Sequence, residues 1–309
     1  MESMRATESY MSVEFSSAPA SNASATGQPL LVDDVLNTPW RWICSIQVDY
    51  PEPVLHSPSG VAKDVTFGSG VLITPRHVLT NAHLVVGYKT SRQHNFIVHP
   101  TKIMVAPGRD ARRLNPRPYG NYRVVSRHVA PQYRATDSQT LSAPFDYAVL
   151  ELNRDVGNRS FTKIDGRLGW WGQAHNSYIR SVDSNFRQAL ASRKVNVAGY
   201  PNSGDIEFTT NSTPAGIQYY DFDWIVNAFP RINNQVASVI RYAAKAGNGQ
   251  SGGPVWIKEK SNGRRYLVAI HRARESASNL DREGVLITPS LIQQLYSWGI
   301  PRNLLSVVS

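Results

Sequence analysis

The sequence predicts an all-β fold: two six-stranded antiparallel β-barrels followed by a C-terminal helix. Three observations carry that expectation. Short runs of alternating apolar residues, bounded by turn residues, recur along the whole chain. They divide into two sets on either side of a loop near residues 153–165. Helical apolar spacing stands out in residues 289–298, at Leu291, Ile292, Leu295 and Trp298.

Residues 41–48 open the first set, alternating around Trp42, Cys44 and Ile46. Residues 71–73, 78–80, 95–98, 122–126 and 147–152 follow as further strands. The second set comprises residues 194–199, 206–210, 236–243, 254–258, 266–270 and 284–287. The first barrel is therefore placed at residues 38–160, and the second barrel with its helix at 161–309. No internal repeat is visible between them. Residues 1–37 are expected to be a disordered leader. Its start is rich in Ser, Ala and Thr and lacks an apolar h-region, so it is not a standard signal peptide. A floppy tail and a signal for a non-standard secretion route both fit it.

The 309 residues suffice for one or two domains with a substantial core. The 33 Lys and Arg against 23 Asp and Glu give a net charge of +10. Such a surface attracts nucleic acid, anionic membranes or acidic proteins. Nucleic acid is not expected, because the aromatics are not interleaved with the basic run. Solubility charge and attraction of acidic substrates both stay open. No apolar run is long enough to span a membrane. Cys44 is the only cysteine, so the monomer expected here has no internal disulfide. That fits a reducing cytoplasm or non-standard secretion, and the localisation stays open. Cysteine and histidine spacings give no metal site, and no cofactor is expected.

The segment Gly247-Asn248-Gly249-Gln250-Ser251-Gly252-Gly253-Pro254-Val255 sets one serine in a run of glycines before an apolar strand. Glycines suit a tight loop whose N–H groups converge on one point. A serine there can be a nucleophile, with backbone N–H groups stabilising an oxyanion. Two upstream segments supply matching partners. Gly68-Ser69-Gly70-Val71-Leu72-Ile73-Thr74-Pro75, then Val78-Leu79-Thr80-Asn81-Ala82-His83, ends in small residues and a histidine. Phe145-Asp146-Tyr147-Ala148-Val149-Leu150-Glu151-Leu152 places a carboxylate at the mouth of an alternating strand. A buried Asp there can hold an imidazole in one tautomer. His56, His77, His94, His99, His128 and His175 lack such contexts and read as structural or surface residues.

Thr80-Asn81-Ala82-His83, Asp146-Tyr147-Ala148-Val149-Leu150-Glu151-Leu152 and Gly249-Gln250-Ser251-Gly252-Gly253-Pro254 resemble the three motifs of trypsin-like (chymotrypsin-fold) serine proteases, in that family's chain order. The resemblance covers roughly residues 38–300 and is sharp around the three motifs. It implies the same two barrels, with the active site in the cleft between them. It implies that His83, Asp146 and Ser251 are catalytic, that the N–H groups of Gly249 and Ser251 form the oxyanion hole, and that the substrate is a protein or peptide. For this family the His83-to-Asp146 spacing is long. The extra length is placed in residues 107–140, a proline-broken, arginine-rich stretch predicted as mostly loop. Residues 219–235, rich in aromatics, are predicted as a second insertion near the cleft.

Three departures bear on function. Gln250 stands where many members carry an Asp that pairs with a new N-terminus after zymogen cleavage. A neutral amide cannot form that ion pair, so the loop is expected to be competent without it. Lys245 stands where trypsin has the Asp that selects Lys or Arg, so basic selectivity is not expected. His271 aligns with a histidine of the acid-binding pocket of glutamyl endopeptidases, and Val197-Ala198-Gly199-Tyr200-Pro201 resembles a segment of that branch. Lys245 or His271 could neutralise an acidic side chain on the substrate. Ala246, where that branch has Thr or Ser, opposes this. Arg272 and Arg274 follow on the same strand, as substrate contacts or as solvated edge charges. The leading reading is a serine endopeptidase. A stress-type protease without a peptide-binding module and an inactive protease-fold binding protein are the alternatives.

Overall fold

The computed structural model describes residues 15–16, 28–56, 61–90, 94–135, 142–173, 176–202, 215–227, 231–232, 235–236, 238–272 and 282–308. Six strands form the first closed barrel: β1 (Ile43–Val54), β2 (Lys63–Leu72), β3 (His77–Thr80), β4 (Lys102–Pro107), β5 (Tyr122–Val129) and β6 (Ala148–Leu152). Hydrogen bonding runs β1-β2-β3-β6-β5-β4 and back to β1, antiparallel at every step. The second barrel contains β7 (Lys194–Gly199), β8 (Tyr219–Asn227), β9 (Val239–Tyr242), β10 (Pro254–Glu259), β11 (Arg265–Arg272) and β12 (Arg282–Leu286). Its circuit is β7-β8-β9-β12-β11-β10 and back to β7. The two circuits are the same path through six strands. The internal repeat absent from the sequence is present in the topology.

Two strands were assigned differently from sequence. Residues 95–98 do not enter the barrel; Asn95–Val98 forms a separate hairpin with Gly87–Thr90, its Phe96 and Ile97 exposed. Their barrel place belongs to β4, which buries Ile103 and Val105. Residues 206–210 lie outside the described residues. The second place in the second circuit is held by β8, within the residues expected as an insertion. Asp221 and Asp223 interrupt its aromatic pattern and disguise the strand.

Two pieces of the expected leader pair with the second barrel, the first being Phe15–Ser16 against Lys258 and Glu259 of β10. Leu30–Leu31 pairs with Tyr219 and Tyr220 of β8, and Val32 and Val35 are buried. Part of the arginine-rich stretch holds this segment in place. The Arg113 guanidinium meets Asp34 at 2.7 Å, and Arg112 donates to the Val32 carbonyl at 2.8 Å. Arg112 and Arg113 also pair with the buried Asp110. Arg112 and Arg113 of residues 107–140 thus pair within the molecule, while Arg117, Arg123 and Arg134 are exposed.

The barrels meet along an aromatic seam. Trp42 of the first barrel packs edge-on to Trp171, whose other side meets Trp256 of β10. Buried aromatic pairs of this kind contribute about 1 kcal/mol each beyond their area. A helix missed by sequence, α1 (Ser184–Ala191), is capped by the Asp183 carboxylate, which accepts from the Phe186 N–H. The expected C-terminal helix is α2 (Pro289–Ser297), capped by Thr288, with Leu291, Ile292 and Leu295 buried. It reaches back to the first barrel, where Trp298 stacks on His128 of β5. Cys44 is buried in the first barrel, and burial pushes its thiol pKa up, so it stays a neutral apolar group.

Candidate active site

Thr80, the last residue of β3, pairs with Ala148, the first of β6. The segments just beyond these paired ends must then share one end of the barrel. One is the turn Ala82–Leu84, which carries His83; the other is Asp146, directly after the turn Ala143–Phe145. The Asp146 Oδ2 lies 2.7 Å from His83 Nδ1, and its Oδ1 accepts the His83 backbone N–H at 2.9 Å. An ionised carboxylate can only accept, so Nδ1 carries a proton, and in the neutral imidazole the lone pair is on Nε2. Asp146 is completely buried, while the His83 side chain keeps 22% of its surface exposed. Asn81 donates its side-chain N–H to the Asp146 carbonyl at 2.7 Å. His56 holds the back of the turn, with Nδ1 donating to the His83 carbonyl at 2.8 Å. Its Nε2 accepts from Thr66 at 2.8 Å, and burial pushes its pKa down to about 4.

The loop of Ser251 is clamped to β2. The Ser69 N–H donates to the Ser251 carbonyl at 2.8 Å, and Ser69 Oγ donates to the Gly249 carbonyl at 2.9 Å. Gly252, at φ +85°, lies so close to the segment leading into His83 that a Cβ would collide with the Ser69 carbonyl and the Thr80 hydroxyl. This contact brings the serine loop and His83 together across the barrel junction. Gly252→Ala is expected to lower folding stability by about 2 kcal/mol or more, read from urea denaturation. Within the loop, the N–H groups of Gln250, Gly252 and Gly253 are bonded to carbonyls. Those of Gly249 and Ser251 have no hydrogen-bond partner among the described residues. Gln250 is fully buried; its Oε1 accepts from Gly247 N–H at 2.8 Å and its Nε2 donates to the Tyr219 carbonyl at 3.3 Å. The neutral amide thus holds the loop from inside without an ion pair.

The tentative substrate contacts separate in the structure. Arg272 is neither a solvated edge charge nor directed outward: it is buried, and its Nε meets Asp146 Oδ2 at 2.9 Å. Its Nη1 meets Glu283 Oε2 at 3.2 Å. Lys245 is half-buried, and its backbone N–H donates to the Asp221 carboxylate at 2.6 Å. Ala246 is buried, and its carbonyl accepts from Arg282 Nε at 2.6 Å. His271 is completely buried. The Tyr242 hydroxyl donates to the Glu283 carbonyl, so His271 Nδ1 donates to that hydroxyl oxygen, 2.7 Å away. The lone pair of His271 Nε2 is left buried and without a partner among the described residues. Burial first, then Arg282 and His83, push the His271 pKa down to about 3. Arg274 lies outside the described residues.

Burial alone would raise the pKa of Asp146. The His83 charge and hydrogen bonds, together with Arg272, outweigh it and hold the carboxyl at about 2. Sequence reading did not give roles to Ser69, His56, Tyr242 or Arg282. Ser69 had a signal, standing between Gly68 and Gly70 where a close backbone approach is needed. The other three lie far in sequence from the motifs they touch and carry no local signature. Among the described residues, no cluster of His, Cys, Asp and Glu could hold a metal ion, and no helix is long and apolar enough to cross a membrane.

The model of the trypsin-like peptidase domain matches residues 68–264, more than half of the chain. No curated protein sequence matches it. Solved structures share the fold at low identity. A Glu endopeptidase in complex with MPD superposes with a TM-score of 0.57 at 18% identity, covering 88% of this chain and 96% of that one. HL collagenase gives 0.53 at 13%, covering 84% and 94%. The protease Anisep from Arthrobacter nicotinovorans gives 0.52 at 14%, covering 83% and 94%. Two matching barrel circuits and the extent of the domain match lead to one conclusion: the chain belongs to the trypsin-like peptidase family and is a serine protease.

Proposed function

We propose that the chain is an endopeptidase that cleaves protein substrates through Ser251, His83 and Asp146. The carrying observation is the His83–Asp146 pair packed against the clamped loop of Ser251. His83 Nε2 takes the proton of Ser251 as Oγ attacks the peptide carbonyl, then gives it to the leaving amine. Asp146 fixes the tautomer and stabilises the imidazolium that forms. The N–H groups of Gly249 and Ser251 receive the oxyanion, each such donor contributing about 3 kcal/mol to the transition state. Water then attacks the acyl-enzyme by the same route. A fluorophosphonate probe is expected to label the uncleaved full chain at Ser251. A folded chain that stays unlabelled would remove this reading, and labelling that needs prior N-terminal cleavage would remove the role given to Gln250.

The side chain preceding the cut is proposed to be acidic. The support is His271 Nε2, a buried acceptor without a partner among the described residues, close to the charge of Arg282. Lys245 contributes less, because Asp221 lies against its backbone. A peptide library read by mass spectrometry is expected to show cleavage after Glu or Asp. Cleavage mainly after apolar or basic residues would exclude the preference. His271 is neutral across the working range, so a Glu side chain binding there brings a proton with it. The ratio of kcat/KM for paired Glu and Gln peptides is therefore expected to fall as pH rises from 5 to 9. A flat ratio would place the carboxylate, still ionised, on Arg282 instead.

A further inference from the structure

Asp146 Oδ2 accepts two bonds, one from each barrel: His83 Nδ1 at 2.7 Å and Arg272 Nε at 2.9 Å. The row continues behind Arg272. Glu283 is its cross-strand neighbour on β12, and Arg241 is the neighbour of Glu283 on β9. Arg272 Nη1 meets Glu283 Oε2 at 3.2 Å, and Arg241 Nε meets Glu283 Oε1 at 3.0 Å. Four charges therefore alternate in sign from Asp146 to Arg241. Three of them stand in register on adjacent strands of the second barrel, and Asp146 belongs to the first. Asp146, Arg272 and Glu283 are buried, so the row is weakly screened and each member depends on the next.

We infer that Arg272 is a positioning residue that acts through Asp146, locking the carboxylate to the barrel that carries Ser251 and moving the acid limb of the rate profile to lower pH. The inference rests on the catalytic reading of His83, Asp146 and Ser251. Its physical basis is the direction of two effects. The guanidinium and the imidazole, one from each barrel, hold Oδ2 between two donors, which fixes the carboxylate in its orientation towards His83. Its positive charge also offsets part of the field by which Asp146 favours the imidazolium. Removing that charge strengthens the pull of Asp146 on the imidazolium, which is the change a neutral substitute at position 272 is expected to reveal. Among the described residues, the other titratable groups near this pair are His271 and Tyr133, with His56 on the far side of the His83 turn. His56 and His271 are held neutral by burial, so Arg272 is the cation in direct contact with the carboxylate.

The test compares Arg272→Met with Arg272→Lys. Methionine fills the space without charge. It is expected to lower kcat about tenfold with little change in KM, and to move the acid limb of kcat/KM up by about one pH unit. Lysine keeps the charge but cannot bridge Asp146 and Glu283 together. It is expected to lower kcat while leaving the acid limb in place. A methionine variant with the wild-type limb overturns the electrostatic part. Either variant with wild-type kcat overturns the positioning part. The low-field Nδ1–H proton resonance of His83, followed through its titration in the Ser251→Ala background, reads the same shift without any turnover. If Ser251 proved not to be the nucleophile, that titration would still report on Arg272, so the two failures are distinguishable. Should the methionine variant not fold, the kcat of the lysine variant decides the positioning part and the acid limb of Arg272→Gln decides the electrostatic part.

Discussion

Ser251→Ala is expected to lower kcat by about five to six orders of magnitude while the fold and KM change little. Removing a serine nucleophile from a triad that works as a unit has an effect of this size, and the remaining rate comes from substrate binding and the oxyanion donors. The clamp on this loop explains why the fold should survive. Ser69 holds the Ser251 and Gly249 carbonyls, Gln250 holds Gly247 and Tyr219, and none of these bonds uses Ser251 Oγ. Active-site titration with a fluorophosphonate, beside a urea denaturation curve, checks both halves. A variant that keeps activity within tenfold of the parent would remove Ser251 from the mechanism.

Asp146→Asn is expected to lower kcat by about three to four orders of magnitude and to destabilise the fold by about 3 kcal/mol. Every polar group facing this carboxylate is a donor: the His83 N–H at Oδ1, and both His83 Nδ1 and Arg272 Nε at Oδ2. An amide must turn its NH2 towards one of them. Two donors at Oδ2 against one at Oδ1 favour an amide oxygen at Oδ2, which keeps the tautomer of His83. The loss then arises from the missing charge and from the displaced His83 backbone. Arg272 is also left buried beside a neutral partner. Pre-steady-state kinetics should show slow acylation, and a loss under tenfold would contradict the role. The pH dependence of wild-type stability has a defined sign. The Asp146 pKa is depressed to about 2 from an ordinary value of 3.8. Its contribution, about 2 kcal/mol, is therefore complete above pH ~4 and disappears as the pH falls towards 2. Chemical denaturation at pH 6, 4 and 2.5 measures it, with Asp146→Asn as the control that lacks this component.

The fold was legible where a strand is buried on a clean alternating pattern. Residues 147–152 and 194–199 announce themselves in this way. β8 did not, because Asp221 and Asp223 alternate with its aromatics and neither face of the strand is fully buried. The hairpin strand 95–98 misled in the opposite direction, since Phe96 and Ile97 have a core-like composition but are exposed. At the site, the residues close to a glycine or strand motif could be named. Ser251, His83 and Asp146 are each set by the few residues around them. Arg272 could be located but not oriented. Its inward turn depends on Glu283 and Arg241, which become its neighbours only once three strands are paired. Arg282 and Tyr242 were silent for the same reason, since the groups they face are brought to them by the closing of the barrel.

The division of the site between two barrels also sets a schedule. A growing chain folds from its N-terminus, so the first barrel can close before the second, because Ser251 follows the end of β6 by about a hundred residues. That half holds a histidine and a carboxylate but no nucleophile. The Trp298 contact on His128 forms later still, after α2 has passed. Under the proposed mechanism a growing chain therefore completes its nucleophile loop only after the half that carries His83 and Asp146.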